Sequence, residues 1–207
     1  MSAIAVSLAV EGTLDEIVLR QLLKQSGKGF EVTACYGRQG KDHLHQNIGR
    51  FNHAAVHKPF IVLADLDDED CPSGLIGRWL PGGRHNNLVL RIAVKEIESW
   101  LLADTERFAD FLGVRTGRMP QSPDTTPDPK AFLVNLARRS RKRNIRDDII
   151  PISETTAQVG RNYVGQLMRF ATTSWRIDST ACRRSPSLHK ALTAIQRFSP
   201  RLAMQSQ

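Results

Sequence analysis

The chain is short of cysteine, of long apolar runs and of acidic charge, and each shortage removes a class of protein. Its three cysteines, Cys35, Cys71 and Cys182, are an odd number without framework spacing, which excludes a disulfide-stapled scaffold and suits a reducing cytoplasm. No stretch approaches the roughly 18 consecutive apolar residues of a membrane span, so no membrane partner is expected. The apolar opening MSAIAVSLAV lacks a basic leader and a small-residue cleavage site and is cut short by Glu11, so a buried first strand is expected there rather than a signal peptide. Acidic residues number 21 against 29 Lys and Arg, a net charge of +8. The surplus is uneven: residues 1–104 carry 11 basic against 13 acidic side chains, and residues 105–207 carry 18 against 8. An acidic front half joined to a basic segment points to a cation site beside a surface that could hold a polyanion, nucleic acid above all.

What is present first is alternation. Apolar runs at 3–10, 30–36, 60–65 and 87–94 read as strands, and amphipathic stretches at 13–26, 42–56, 73–80 and 96–104 read as helices between and after them. Continuous apolar strands separated by helices predict an α/β core with a mostly parallel, Rossmann-like sheet covered on both faces. A helix over 105–112 precedes a Pro-, Thr- and Asp-rich loop at 115–129, and helices are expected over 130–143, 160–171 and 187–198. With 207 residues, one α/β core over 1–113 and a basic, mainly helical region over 114–207 packed on it are expected.

Three acidic constellations follow predicted strands. In EGTLDE, Gly12 allows a tight exit that leaves Glu11 at the carboxyl edge of the sheet, where open α/β folds bind ligands. Asp15 lies one helical turn on, and with Thr13 as N-cap the two carboxylates can approach one point; alternatively Asp15 and Glu16 only favour the helix dipole. In IVLADLDDED, residues i and i+2 of an extended segment point the same way, so Asp65 and Asp67 present two carboxylates together, while Asp68, Glu69 and Asp70 belong to the following loop. Two such charges repel unless a cation holds both ionised, and Mg²⁺, or Mn²⁺ in its place, suits such an oxygen site. In KEIESWLLAD, one of Glu96 and Glu98 is expected to face the same site, either being otherwise a surface partner of Arg91 or Lys95.

VEGTLDE followed about 50 residues later by LADLDDED resembles the TOPRIM domain, the metal-binding fold of topoisomerases, primases and overcoming-lysogenization-type nucleases. Glu11 matches the Glu that ends that family's first strand, and Asp65 and Asp67 match its later D-x-D. Asp15 stands where the nuclease branch usually carries Glu. The longer pattern, EGTLDE, GRQGKDHL, DLDDEDC, RIAVKEIESWLLAD, DPK at 128–130 and VGRNY at 159–163, resembles an uncharacterised bacterial TOPRIM-like family sometimes encoded beside ABC-type or SMC-like ATPases and suspected of roles in phage defence. The resemblance implies a metal-dependent nuclease acting on nucleic acid, DNA ahead of RNA, in a defence complex with an ATPase; a cytoplasmic location follows from the cysteines, and assembly as a homo-oligomer is left open. It implies Mg²⁺ (or Mn²⁺) on Asp65 and Asp67, with Glu11 and Asp15 as ligands of a second ion or Glu11 as general acid or base. Lys130, Lys95 and Lys41 are, in that order, the candidates to neutralise phosphate. With Tyr36 and Tyr163 the only tyrosines and no second large domain, strand passage is not expected.

The alternatives are a non-catalytic metal- or nucleotide-binding subunit of such a complex and, on the D-x-D alone, a haloacid-dehalogenase-type phosphatase. In the latter a small Thr or Val usually follows the second Asp, where Asp68 stands here. His43, His45, His53 and His57 have no Cys or third His at a matching distance and read as surface residues rather than a zinc site. Arg138, Arg139, Arg141, Lys142, Arg143 and Arg146 are expected to wrap around one helix and to contact phosphates, or else to form a solvated face or an ion-paired partner surface.

Overall fold

The computed structural model describes residues 3–153 and 156–201. The chain divides into two compact units, residues 1–93 with 190–207 and residues 94–189. The division therefore follows the fourth strand, at Ala93/Val94 and not at 113, and passes again through the last helix. It also redistributes the charge: 13 Lys and Arg against 10 acids give +3 in the first unit, and 16 against 11 give +5 in the second. The basic surplus belongs to sequence halves more than to folded units.

The first unit is an α/β layer. Strands β1 (Ile4–Val10), β2 (Phe30–Gly37), β3 (Phe60–Asp65) and β4 (Leu88–Ala93) form one parallel sheet in the order β2-β1-β3-β4, with Leu8 opposite Ile61 and Val62 opposite Leu90. The central strands are the most apolar: Leu8, Ala9 and Val10 of β1 and Phe60 to Ala64 of β3 are buried, as a strand covered on both faces requires. Edge strand β2 instead alternates between half-buried and exposed residues. Helices α1 (Thr13–Gln25), α2 (Lys41–Ala54) and α3 (Pro72–Trp79) connect the strands, burying Val18, Leu19, Leu22 and Leu23 of α1 and Leu44 and Ile48 of α2. Gly12, not Thr13, is the N-cap of α1, and no side chain caps it. Cys71 caps α3, its Sγ accepting from the Gly74 N–H, so none of the three loop acids does so.

The second unit is helical. Helices α4 (Ile97–Ala103), α5 (Thr105–Leu112), α6 (Pro129–Ala137), α7 (Arg143–Ile149), α8 (Tyr163–Thr173) and α9 (Ser179–Arg184) surround Trp100, Phe108, Phe170 and Trp175, all fully buried. The indole N–H groups are satisfied inside: Trp100 donates to Ser187 Oγ at 2.7 Å, and Trp175 donates to the Trp100 carbonyl at 3.3 Å. Helix α10 (Pro186–Arg197) carries the chain across the division. The loop at 115–129 holds two 3-10 turns, Thr116–Arg118 and Pro123–Thr125.

One predicted helix is divided. The stretch 130–143 is helical only as far as Ala137, Arg138 is the C-cap, and a new helix begins at Arg143. Between them Ser140 Oγ donates to the Leu112 carbonyl, the Arg141 N–H donates to the Gly113 carbonyl at 3.0 Å, and Lys142 Nζ donates to the Asp110 carbonyl at 2.7 Å. The basic run is thus a turn that closes the carbonyl end of α5, and the expectation that it wraps around one helix is corrected.

Candidate functional site

The strand order changes direction between β1 and β3, since β2 lies on one side of β1 and β3 on the other. Ligands of open α/β sheets bind at the carboxyl ends of strands at such a switch point. Glu11 follows β1 and Asp65 ends β3 there, and the Asp65 N–H donates to Glu11 Oε1 at 2.9 Å. The loop after β2 locks the same corner: the Arg38 N–H donates to the Val10 carbonyl at 2.9 Å and the Gly40 N–H to the Glu11 carbonyl at 3.0 Å. Gly37 makes this closure possible. Its φ is +88°, and a Cβ there would fall 2.1 Å from the Val10 carbonyl oxygen.

Gly40 then starts α2 and places Lys41 in its first turn, where the helix dipole disfavours a cation. Lys41 Nζ is held instead by Asp67 Oδ2 at 2.7 Å and the Leu66 carbonyl at 3.1 Å. Asp67 does not continue the strand. Its φ is +53°, Leu66 pairs with the Ala93 carbonyl and is buried, and the Glu69 N–H closes a turn onto the Leu66 carbonyl. Strand alternation therefore does not bring Asp67 beside Asp65; a left-handed turn and Lys41 set its position.

Burial pushes the Glu11 carboxyl up to about 7 from 4.5. The Asp65 N–H opposes that shift, Asp67 adds to it, Lys41 again opposes it, and Asp42 adds last. A cleft of about 810 Å³ is lined by Lys41, Asp67 and the stacked pair His45 and Trp79, whose ring centroids are 5.1 Å apart, and its lining includes neither Glu11 nor Asp65. Glu69 is tied to Arg78 in the same cleft.

Asp15 is buried in α1 against Gly12, where a Cβ would meet Asp15 Oδ2 at 3.0 Å. The charges bearing most on Glu11 are those of Asp67, Lys41 and Asp42. Glu16, which the sequence left to the helix dipole, pairs with Arg20 at 2.9 Å and Arg38 at 3.2 Å.

Of the remaining predicted residues, Glu96, Glu98 and Lys130 form a second cluster, in the second unit. Glu96 is the N-cap of α4 and Glu98 lies in its first turn. One of them was expected to face the Glu11 and Asp65 site, the other being a partner of Arg91 or Lys95; instead Glu96 Oε1 accepts from Lys130 Nζ at 3.1 Å and Glu96 Oε2 from the Lys130 N–H at 3.2 Å, while Glu98 Oε1 accepts from the Tyr163 hydroxyl at 3.0 Å. Lys130 is thereby a counter-ion to Glu96. Burial raises Glu98 above the ordinary carboxylate range, Lys130 opposes the rise, and Glu96 adds to it.

This cluster explains two of the motifs. Asp128 of DPK caps α6 by accepting from the Ala131 N–H at 2.7 Å, which fixes Lys130. Gly160 of VGRNY lies so close to the backbone that a Cβ would be 2.3 Å from the Asp148 carbonyl, and this approach delivers Tyr163 to Glu98. Tyr163 was missed as a site residue because 65 positions separate it from its partner. Lys95, Arg138, Arg139 and Arg141 make no ion pair among the described residues, Lys142 bonds carbonyls, and Arg143 pairs with Asp147 at 3.4 Å.

No family model, curated protein or solved structure matches this chain. The described helices include none long and apolar enough to cross a membrane. Among the described residues no three His, Cys, Asp or Glu side chains gather closely enough to hold a metal by themselves. The donors at the switch point are nevertheless hard oxygens, which suits an ion that keeps several waters, and at Asp67 such an ion would have to displace the Lys41 ammonium.

Proposed function

We propose that the chain is a metal-dependent nuclease of TOPRIM type that hydrolyses phosphodiester bonds in nucleic acid, DNA rather than RNA, in a complex with an ABC- or SMC-type ATPase. The supporting observation is the pairing of Glu11 and Asp65 at the switch point through the 2.9 Å bond from the Asp65 N–H, with Asp67 and Lys41 beside them. Glu11, Asp65 and Asp67 would hold Mg²⁺ or Mn²⁺, which when bound supplies Lewis acidity toward phosphate and water. Alternatively Asp65 and Asp67 alone would hold the ion, and Glu11, its carboxyl at about 7 in the metal-free chain, would instead be general base or acid at neutral pH through Oε2, the oxygen not engaged by Asp65. Lys41, released from Asp67, places an ammonium against phosphate charge.

A second reading, a non-catalytic subunit that binds metal or a nucleotide, draws on the Lys41–Asp67 pair, which neutralises the second Asp of the D-x-D without any ion. One experiment separates the two. The purified chain is incubated with labelled single- and double-stranded DNA and RNA and Mg²⁺ or Mn²⁺, alone and with any ATPase encoded beside it, and compared with Asp65→Ala and Asp67→Ala variants whose folding is checked by circular dichroism. Cleavage that both folded variants lose supports the nuclease. Binding of Mn²⁺ without cleavage of any substrate supports the second reading, and an aspartyl-phosphate trapped on Asp65 would replace both with a phosphatase.

A further inference from the structure

The second unit contains a cleft of about 720 Å³, the volume of a ligand site, that none of the acidic clusters enters. Its walls come from α5, the turn before α7, and the end of α8 with the segment that follows. Four cations stand on it: Arg107, Lys142, Arg169 and Arg176. Arg107 is paired with Asp104 and Asp178, whereas Lys142, Arg169 and Arg176 have no carboxylate partner among the described residues and make no ion pair with Glu106 and Asp110 of the same lining.

The cations are positioned before any ligand arrives. Asp104, buried to 3 % exposure, accepts from Arg107 Nη1 at 3.0 Å through Oδ1 and from the Arg176 N–H at 2.8 Å through Oδ2, so one carboxylate orients two sides of the cleft. Asp178 adds a further bond to Arg107 at 3.2 Å. Arg169 lies over the Phe111 ring, 4.8 Å from its centroid, and one amino group donates to Gln166 at 2.6 Å. A guanidinium stacked on an aromatic ring keeps its outer edge available for a planar fork of donors. Lys142 is fixed by two carbonyls at the end of α5. Arg169 and Arg176 have no carboxylate partner among the described residues, and the hydroxyls of Thr173 and Ser174 line the same wall.

Preorganised Arg donors, a Lys point charge and hydroxyls around a cleft of this size suit phosphate, whose several oxygens can take forked and single donors together. The geometry points to a phosphate-binding site in this cleft, taking either a free nucleotide-like phosphate compound or a phosphate of a nucleic-acid chain. The site is independent of the switch-point carboxylates and of the nuclease reading.

The test is titration calorimetry of the full chain with inorganic pyrophosphate and with a nucleoside triphosphate, and fluorescence anisotropy with a labelled single-stranded oligonucleotide, all with chelator present. Arg169→Glu and Arg176→Glu should each weaken binding at least about ten-fold, the loss of one charge-assisted contact plus a new repulsion. Arg161→Glu, beyond the opposite end of α8, should leave it unchanged. Because Arg169 and Arg176 are exposed, both variants are expected to melt as the parent does. Binding of the small phosphates assigns the site to a free ligand, and binding of the oligonucleotide alone assigns it to chain phosphates. The proposal is overturned if no probe binds, or if Arg161→Glu weakens binding as much as the two cleft variants.

Discussion

Glu11→Gln isolates the electrostatics of the switch point. Glutamine keeps an oxygen to accept the Asp65 N–H but cannot ionise. In the parent the folded-state carboxyl titrates at about 7 against 4.5 for the ordinary group, so between these values the folded state holds a proton that the unfolded chain has lost. Stability must then fall as pH rises through this window and level off above it. A carboxyl moved from 4.5 to about 7 corresponds to about 3 kcal/mol. The Gln variant escapes that cost, so the two chains should be nearly equal at about pH 4 and the variant more stable by about 3 kcal/mol at about pH 8. Urea denaturation with chelator present measures both. A Gln variant that is less stable at high pH, or whose advantage does not change with pH, would refute the assigned cause. Adding Mg²⁺ at high pH should then stabilise the parent more than the variant, since an ion bound only by the folded state shifts the equilibrium by mass action.

Three further substitutions probe the frame. Gly37→Ala forces a side chain into a left-handed backbone against the Val10 carbonyl and should cost roughly 2 kcal/mol or more in the same denaturation assay. Tyr163→Phe removes the donor to a carboxylate that is 3 % exposed, so it should cost about 1–3 kcal/mol and push Glu98 higher still; with a raised carboxyl the loss should deepen as pH rises, which a pH series of melting curves will show. Ser187→Ala leaves the Trp100 indole N–H without its acceptor and should cost about 1–3 kcal/mol, with a changed tryptophan emission spectrum.

The elements most legible in the sequence are those with two independent boundaries. The third strand runs over 60–65 as expected, because a continuous apolar run meets Pro59 on one side and a carboxylate on the other. The helix 105–112 also has its expected limits, since Gly113 takes the left-handed conformation that ends it, φ +69°. The division of 130–143 was not legible, because Arg and Lys are good helix formers and the break is made by Ser140 reaching a carbonyl 28 residues away. Asp67 shows a related failure: the period of two assumed an extended backbone, whereas Asp tolerates the left-handed turn found there. At the switch point Glu11 and Asp65 were legible from strand ends alone. Tyr163, Asp104 and the Arg169–Phe111 pair were not, since each acts through a contact between helices whose partner no local pattern specifies.

The bond that joins Glu11 to Asp65 begins at a main-chain nitrogen, which every residue but proline supplies at position 65. The side chain there can be erased while the tether that holds its neighbour stays in place. Alanine at 65 therefore subtracts one carboxylate without relocating the other, which makes this corner a switch that can be turned off one contact at a time.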